Sequence, residues 1–177
     1  KFTHDGLHYA LYPWGVSKRQ SLPSFYNLHK LRGGAVCKAE IVRGIGKALG
    51  MEVLVPKNAT GDVDTDLFGK AEATLELLEQ YDFVVAHFNG TDEAAHRYDA
   101  LEKVAFIERI DKEFLGTVLG AVQEPLKIVI CGDHVTSSVT GKHDGGVVPV
   151  LAWCSEHVAK KLENYQDIIK FLMKECD

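Results

Sequence analysis

The sequence has no closely spaced pair of cysteines, no long apolar run and no block of basic residues. Each absence excludes a class of protein. Cys37, Cys131, Cys154 and Cys176 are far apart, and three of them sit in or beside apolar runs. Buried free thiols are therefore expected rather than disulfides or zinc ligands, which points to a reducing, cytoplasmic setting. No apolar segment approaches the length of a membrane span. The opening KFTHDGLHYA has neither an initiator Met nor a signal-peptide pattern, so the expectation is a chain that begins mid-gene or after a cleavage. Lys and Arg number 20 against 25 Asp and Glu, a formal charge of −5. That leaves no electrostatic case for a nucleic-acid or anionic-membrane partner.

What is present is an ordinary globular composition. In 177 residues, 46% are hydrophobic and 25% charged, which is enough apolar material for one domain with a real core. Residues 1–32 contain Pro13 and Pro23, several aromatics and little helical periodicity, apart from a possible short strand at LHYALY, and are expected to be a connector. From residue 33 the pattern changes. AVCKA predicts a strand, and Ile41, Val42, Ile45 and Leu49 share one face of a helix that Gly50 stops. MEVLVP is the next strand. Asp64 or Thr65 can cap a helix whose face is Leu67, Ala71, Leu75 and Leu78. DFVVAHFN predicts another strand, and the longest helix follows, with Leu101, Val104, Ile107, Phe114, Leu115 and Val118 at near-helical spacing. LKIVI reads as a strand covered on both faces, VVPVLAW as a further strand, and Tyr165–Lys174 as a terminal helix. Alternating strands and helices predict an α/β fold with a doubly wound, mostly parallel sheet.

Three loops carry the chemistry: GTDEAAH at Gly90–His96, CGDH at Cys131–His134 and KHDGG at Lys142–Gly146. Each is expected just after an apolar run that reads as a strand, where open α/β sheets gather their ligands. Asp92 and His96 are four apart, so one helical turn puts both on one face. Asp133 and His134 follow a glycine that lets the backbone turn sharply. With His143 these residues offer carboxylate and imidazole donors and no thiolate. That set suits a hard or borderline divalent ion, Mn²⁺ ahead of Zn²⁺, Co²⁺ or Mg²⁺. Five ligands are too many for one small site and too few for two complete ones. A metal pair completed by ligands from elsewhere fits them.

DEAAH followed by KVAFIERID, then CGDHVTSS, then KHDGGVVPVLAW, stand in that order behind RGIGKALGMEVLVPKNATGDVDTD and YDFVVAHFN. This series resembles the carboxyl-terminal part of the cofactor-independent phosphoglycerate mutases of the archaeal type, within the alkaline phosphatase superfamily, over nearly the whole chain. The resemblance implies that Asp92, His96 and His143 bind one Mn²⁺ and that Asp133 and His134 bind a second. It also implies an Asp and a nucleophilic Ser that precede residue 1. The whole protein would be an isomerase interconverting 3- and 2-phosphoglycerate through a phosphoserine, and this chain alone would be inactive. Residues 1–32 would be the end of an inserted substrate domain, residues 33–177 the end of the metal-binding domain, and the missing amino-terminal segment its partner. Arg32 is a candidate for a basic residue that reaches the substrate phosphate. Another phosphatase or phosphomutase of the superfamily, or a non-catalytic metal-binding module, are the alternatives. Ser137 and Ser138, where the family often has Pro, and the HDGGVVP turn depart from its pattern. His87 reads as core or as support behind the ligands. His4, His8, His29 and His157 carry no motif, and Asp144 and Glu93 can tune neighbouring ligands by hydrogen bonding.

Overall fold

The computed structural model describes residues 2–10, 18, 20–154, 162 and 164–173. Pro13, His157, Cys176 and the expected helix end at Lys174 lie outside them. The first described stretch is a hairpin of β1 (Phe2–His4) and β2 (Leu7–Tyr9). Its turn is Asp5-Gly6, both at positive φ, the dipeptide that two-residue hairpins favour. Phe2 stacks on Tyr9 across it at 5.3 Å. A short helix α1 (Phe25–His29) follows, capped by Ser24. Phe25 is buried against Phe83 at 4.8 Å, so part of the expected connector packs onto the sheet.

That sheet is centred on β3 (Gly33–Val36), which is buried along its whole length. After β3 come α2 (Glu40–Ala48), β4 (Glu52–Leu54), α3 (Leu67–Leu78) and β5 (Phe83–Ala86). The strand order is β4-β3-β5, with both pairings parallel. A Cβ on Gly34 would meet Leu77 of α3 at 3.0 Å, whereas one on Gly46 of α2 would lie 3.8 Å from Ala35. Successive strand residues face opposite sides. The two helices therefore cover opposite faces, which is the doubly wound arrangement expected. The cap of α3 is Asp66, accepting from Gly69 N–H, rather than Asp64 or Thr65; Thr65 instead accepts from Thr60 N–H.

After β5 come α4 (Gly90–His96) and α5 (Ala100–Arg109), a π-helical turn over Ile110–Leu115, and α6 (Gly116–Ala121). The core lies between α3 and this helical run: Leu67, Ala71, Phe106, Phe114 and Val118. The expected apolar face of the long helix is only half right. Leu101 is 83% exposed, and Val104 and Ile107 are also open, because the buried face is the one that runs through Phe106. Ile41 and Ile45 of α2 are exposed in the same way.

The remaining strands pair antiparallel: β6 (Lys127–Cys131) with β9 (Val150–Cys154), and β7 (Val135–Ser137) with β8 (Lys142–Asp144). Ile130 and Leu151 are exposed, so β6 is not covered on both faces as its apolar run predicts. A last helix, α7, spans Gln166–Met173. Cys37 and Cys131 are free thiols, but Cys154 is disulfide-bonded. This corrects the expectation of free thiols throughout and removes the support that cysteine usage gave to a reducing compartment. Cysteine spacing alone does not reveal which thiols pair. Among the described residues no helix is long and apolar enough to cross a membrane.

One buried charge supports the sheet edge. Lys70 of α3 is 1% exposed, its Nζ donates to His87 O at 2.7 Å, and it lies over the Phe88 ring at 4.9 Å. Burial pushes the Lys70 ammonium down to about 8 from 10.5. The folded chain therefore holds fewer protons than the unfolded one between those values. The penalty is complete below about pH 8, and stability rises with pH through that window. Between pH 7 and 9 this contribution is expected to be about 1 kcal/mol, present in the wild type and absent from Lys70→Met, as read by urea denaturation at both pH values.

Candidate metal centre

The site forms where the carboxyl end of β5 meets the β7–β8 hairpin. Gly90 opens α4 in close contact with its surroundings: a Cβ there would meet Phe106 Cε1 at 2.6 Å and the Val63 backbone nitrogen at 2.8 Å. A helical turn from that point puts Asp92 and His96 on one face, with His96 Nε2 3.4 Å from Asp92 Oδ2. Asp92 is not the cap of the long helix. That role falls to Asp99, which accepts from Glu102 N–H. The corner between α4 and α5 is pinned by Arg97, whose guanidinium donates to both carboxylate oxygens of Asp62, at 2.7 and 2.8 Å, and to Glu102 at 2.7 Å. Arg97 in turn holds the exposed Asp62 carboxyl below the ordinary range.

The hairpin brings the other ligand atoms. Antiparallel register sets Thr136 opposite His143. Ser137 holds the turn, its Oγ accepting from Val139 and Thr140 N–H, which gives that departure from the family pattern a local role. His143 Nε2 lies 3.2 Å from His96 Nε2 and 3.6 Å from Asp92 Oδ1. Its ring packs on that of His134 with centroids 4.0 Å apart. Asp92, His134 and His143 each offer a ligand atom, all within 4.8 Å of one another. Four of the five expected ligands thus meet in one cluster. Asp133 stands at its rim with its side chain 82% exposed, one oxygen 3.6 Å from His134 Nε2 and the other accepting from His134 N–H.

Hydrogen bonds decide which ring nitrogens are available. His96 Nδ1 lies 2.8 Å from Gly141 O. A carbonyl only accepts, so Nδ1 carries a proton, and in the neutral ring Nε2 then presents its lone pair toward Asp92 and His143. Imidazole lone pairs gathered beside a carboxylate, with no thiolate, fit a divalent cation of borderline to hard character. Gly141 itself sits at φ +62, and a Cβ there would meet the Tyr98 ring at 2.7 Å.

Sequence reasoning passed over several supporting residues. Thr136 is buried between Asp92 and His134. Tyr165 donates from its hydroxyl to Gly132 O at 2.6 Å, bracing the loop that carries Asp133. His87, which the sequence already suggests as core or support, is half-buried just past β5 and held below the ordinary imidazole range by burial, with Lys70 adding to the effect and Asp133 opposing it. Arg32 is not brought to the cluster. It precedes β3 and pairs with Asp82, which precedes β5, so it lies at the opposite end of the parallel strands from Asp92.

The model of the Metalloenzyme superfamily matches residues 6–170. The chain belongs to the Metalloenzyme superfamily. Among curated relatives, the 2,3-bisphosphoglycerate-independent phosphoglycerate mutase of Methanopyrus kandleri is 38% identical over 161 residues, covering 90% of this chain and 38% of that protein. The enzyme of the same name from Saccharolobus islandicus is 41% identical over 140 residues, covering 78% of this chain and 34% of its own length. A protein of Pyrococcus horikoshii with a solved structure superposes with a TM-score of 0.69 at 36% identity, covering 73% of this chain and 39% of that one. The cofactor-independent phosphoglycerate mutase of Thermoplasma acidophilum shares the fold at a TM-score of 0.50 and 22% identity, over 75% of this chain and 29% of its own. This superfamily member therefore spans little more than a third of the length of those curated relatives.

Gly141→Ala is expected to strain the αL position by about 1–2 kcal/mol and to displace the carbonyl that orients His96. Mn²⁺ affinity measured by calorimetry should fall by about tenfold. Unchanged affinity would show that the Gly141 carbonyl does not set the His96 ring.

Proposed function

We propose that this chain is the metal-binding portion of a two-metal phosphoglycerate mutase that interconverts 3-phosphoglycerate and 2-phosphoglycerate through a phosphoserine. The observation that carries this reading is the convergence of Asp92, His96, His134 and His143. It is supported by relatives that bear the mutase name along most of this chain.

In this proposal Asp92, His96 and His143 hold one ion. Asp133 and His134 contribute to the second, with the rest of its ligands, the attacking Ser and the residues around the glycerate supplied from outside these 177 residues. Residues 1–32 form the end of the substrate-binding insertion, and 33–177 belong to the metal-binding domain. Mn²⁺ is the ion the donor set favours. Bound divalent ions would lower the pKa of a hydroxyl nucleophile and take up charge on a phosphoryl group. The chain's own part is to fix the geometry. Asp92 and His96 are locked at one helical turn by the Gly90 entry and the Arg97 corner, His143 is fixed by hairpin register, and the His96 proton is kept on Nδ1 by Gly141. Arg32 is left out of the proposed substrate contacts, because Asp82 already occupies its guanidinium at the far end of the strands.

The test is a coupled mutase assay on a protein that joins this chain to the remaining length its relatives possess. Mn²⁺-dependent isomerisation, abolished by chelation, is expected, with no turnover from the 177 residues alone. His143 is largely exposed, so His143→Ala should leave the fold intact. A ligand worth several kcal/mol to the transition state should cost on the order of a hundredfold or more in kcat/KM. Retained activity in that variant would overturn the ligand assignment, and turnover by this chain alone would overturn the division of labour.

A further inference from the structure

Thr136 occupies the centre of β7 with 5% of its surface exposed, a burial that a hydroxyl-bearing residue keeps only with satisfied partners. Its Oγ1 lies 2.5 Å from Asp92 Oδ1 and 3.1 Å from His134 Nδ1. Its backbone is fixed separately, since Lys103 Nζ donates to Thr136 O at 2.8 Å and the strand is in register with His143. The hydroxyl is thus held between a ligand from α4 and a ligand from the CGDH loop.

A hydroxyl has one proton to give. A carboxylate has none, so the Thr136 proton goes to Asp92, and toward His134 the oxygen can only accept. Nδ1 of His134 must then be the protonated nitrogen, and Nε2 is left with the lone pair. We propose that Thr136 is a positioning residue that holds His134 as the Nδ1–H tautomer and ties that ring to the Asp92 carboxylate, so that ligands of the two ion positions are oriented by one shared hydroxyl. The part concerning ions rests on the metal-site reading above; the part concerning the tautomer does not. Gly141 O performs the same service for His96 through the backbone, where a substitution acts only by moving the main chain. At His134 the service is performed by a side chain and can be removed.

The experiment is ¹⁵N-edited NMR of the histidine rings in this chain, without metal and above the ordinary imidazole pKa, together with Mn²⁺ titration by calorimetry. His134 in the wild type should be protonated on Nδ1. Thr136→Val, which keeps the shape and loses the hydroxyl, should shift His134 toward Nε2–H and weaken Mn²⁺ binding by about 10- to 100-fold. Thr136→Ser should restore both. A wild-type His134 protonated on Nε2, or a Val variant that matches the wild type in tautomer and affinity, would overturn the assignment. If Thr136→Val does not fold, the wild-type tautomer and the Ser variant still decide it. If the wild type takes up no Mn²⁺, the metal reading falls while the tautomer measurement still judges Thr136.

Discussion

Three imidazole rings and a carboxylate confined to one small volume must settle where their protons lie, and the groups around them dictate the answer. His96 and His143 present Nε2 atoms to each other at 3.2 Å, a contact that two lone pairs would resist. The Gly141 carbonyl keeps the His96 proton on the far side of its ring. Thr136 does the corresponding work between Asp92 and His134. Nδ1 of His96 and Nδ1 of His134 are satisfied by the protein, so in the neutral rings their Nε2 atoms are left with electron pairs that a cation would take. Register in the β7–β8 hairpin, the αL glycine at its turn and the entry of α4 are all arranged to keep this proton pattern.

The support beneath the cluster comes from a different part of the chain. Lys70 reaches from α3 to the carbonyl of His87, just past β5, and the backbone amide of His87 in turn donates to Val36 O at the end of β3. A buried ammonium is costly, and its lowered pKa records that cost. What it secures is the position of the strand end from which Gly90 and then Asp92 follow. Gly90 is tight for the same reason: the chain passes between Phe106 and the Val63 backbone, and no larger residue fits without moving the helix that carries two ligands.

Much of this was legible in the sequence where local rules govern. Asp92 and His96 four apart, a glycine before Asp133 and parallel strands with helical crossovers are short-range signals, and each is found in the structure. What escaped depends on contacts far apart in sequence. Thr136 is an unremarkable residue in CGDHVTSS until the fold sets it beside Asp92, 44 positions away. The pairing of Arg32 with Asp82 is likewise long-range, 50 positions apart. Helix faces misled for another reason. α2 and α5 carry apolar residues on more than one side, and periodicity cannot tell which side is buried within these residues. The Asp5-Gly6 turn, by contrast, was a readable hairpin signal hidden in a stretch expected to be a connector.

Charge gives the last constraint on what the cluster can bind. The chain carries −5 overall, and the cluster itself adds Asp92, with Asp133 at its rim. Lys103 is held by Thr136 O, Lys70 by His87 O, and Arg97 by the carboxylates of Asp62 and Glu102. A phosphoryl group brought against Asp92 would meet its negative charge, and repulsion at contact distance in a partly desolvated site is worth kilocalories. A divalent cation held by Asp92 would reverse that sign, using the same carboxylate that would otherwise repel an anion. In the proposed reading, metal occupancy and affinity for a phosphorylated ligand are therefore one property of the site.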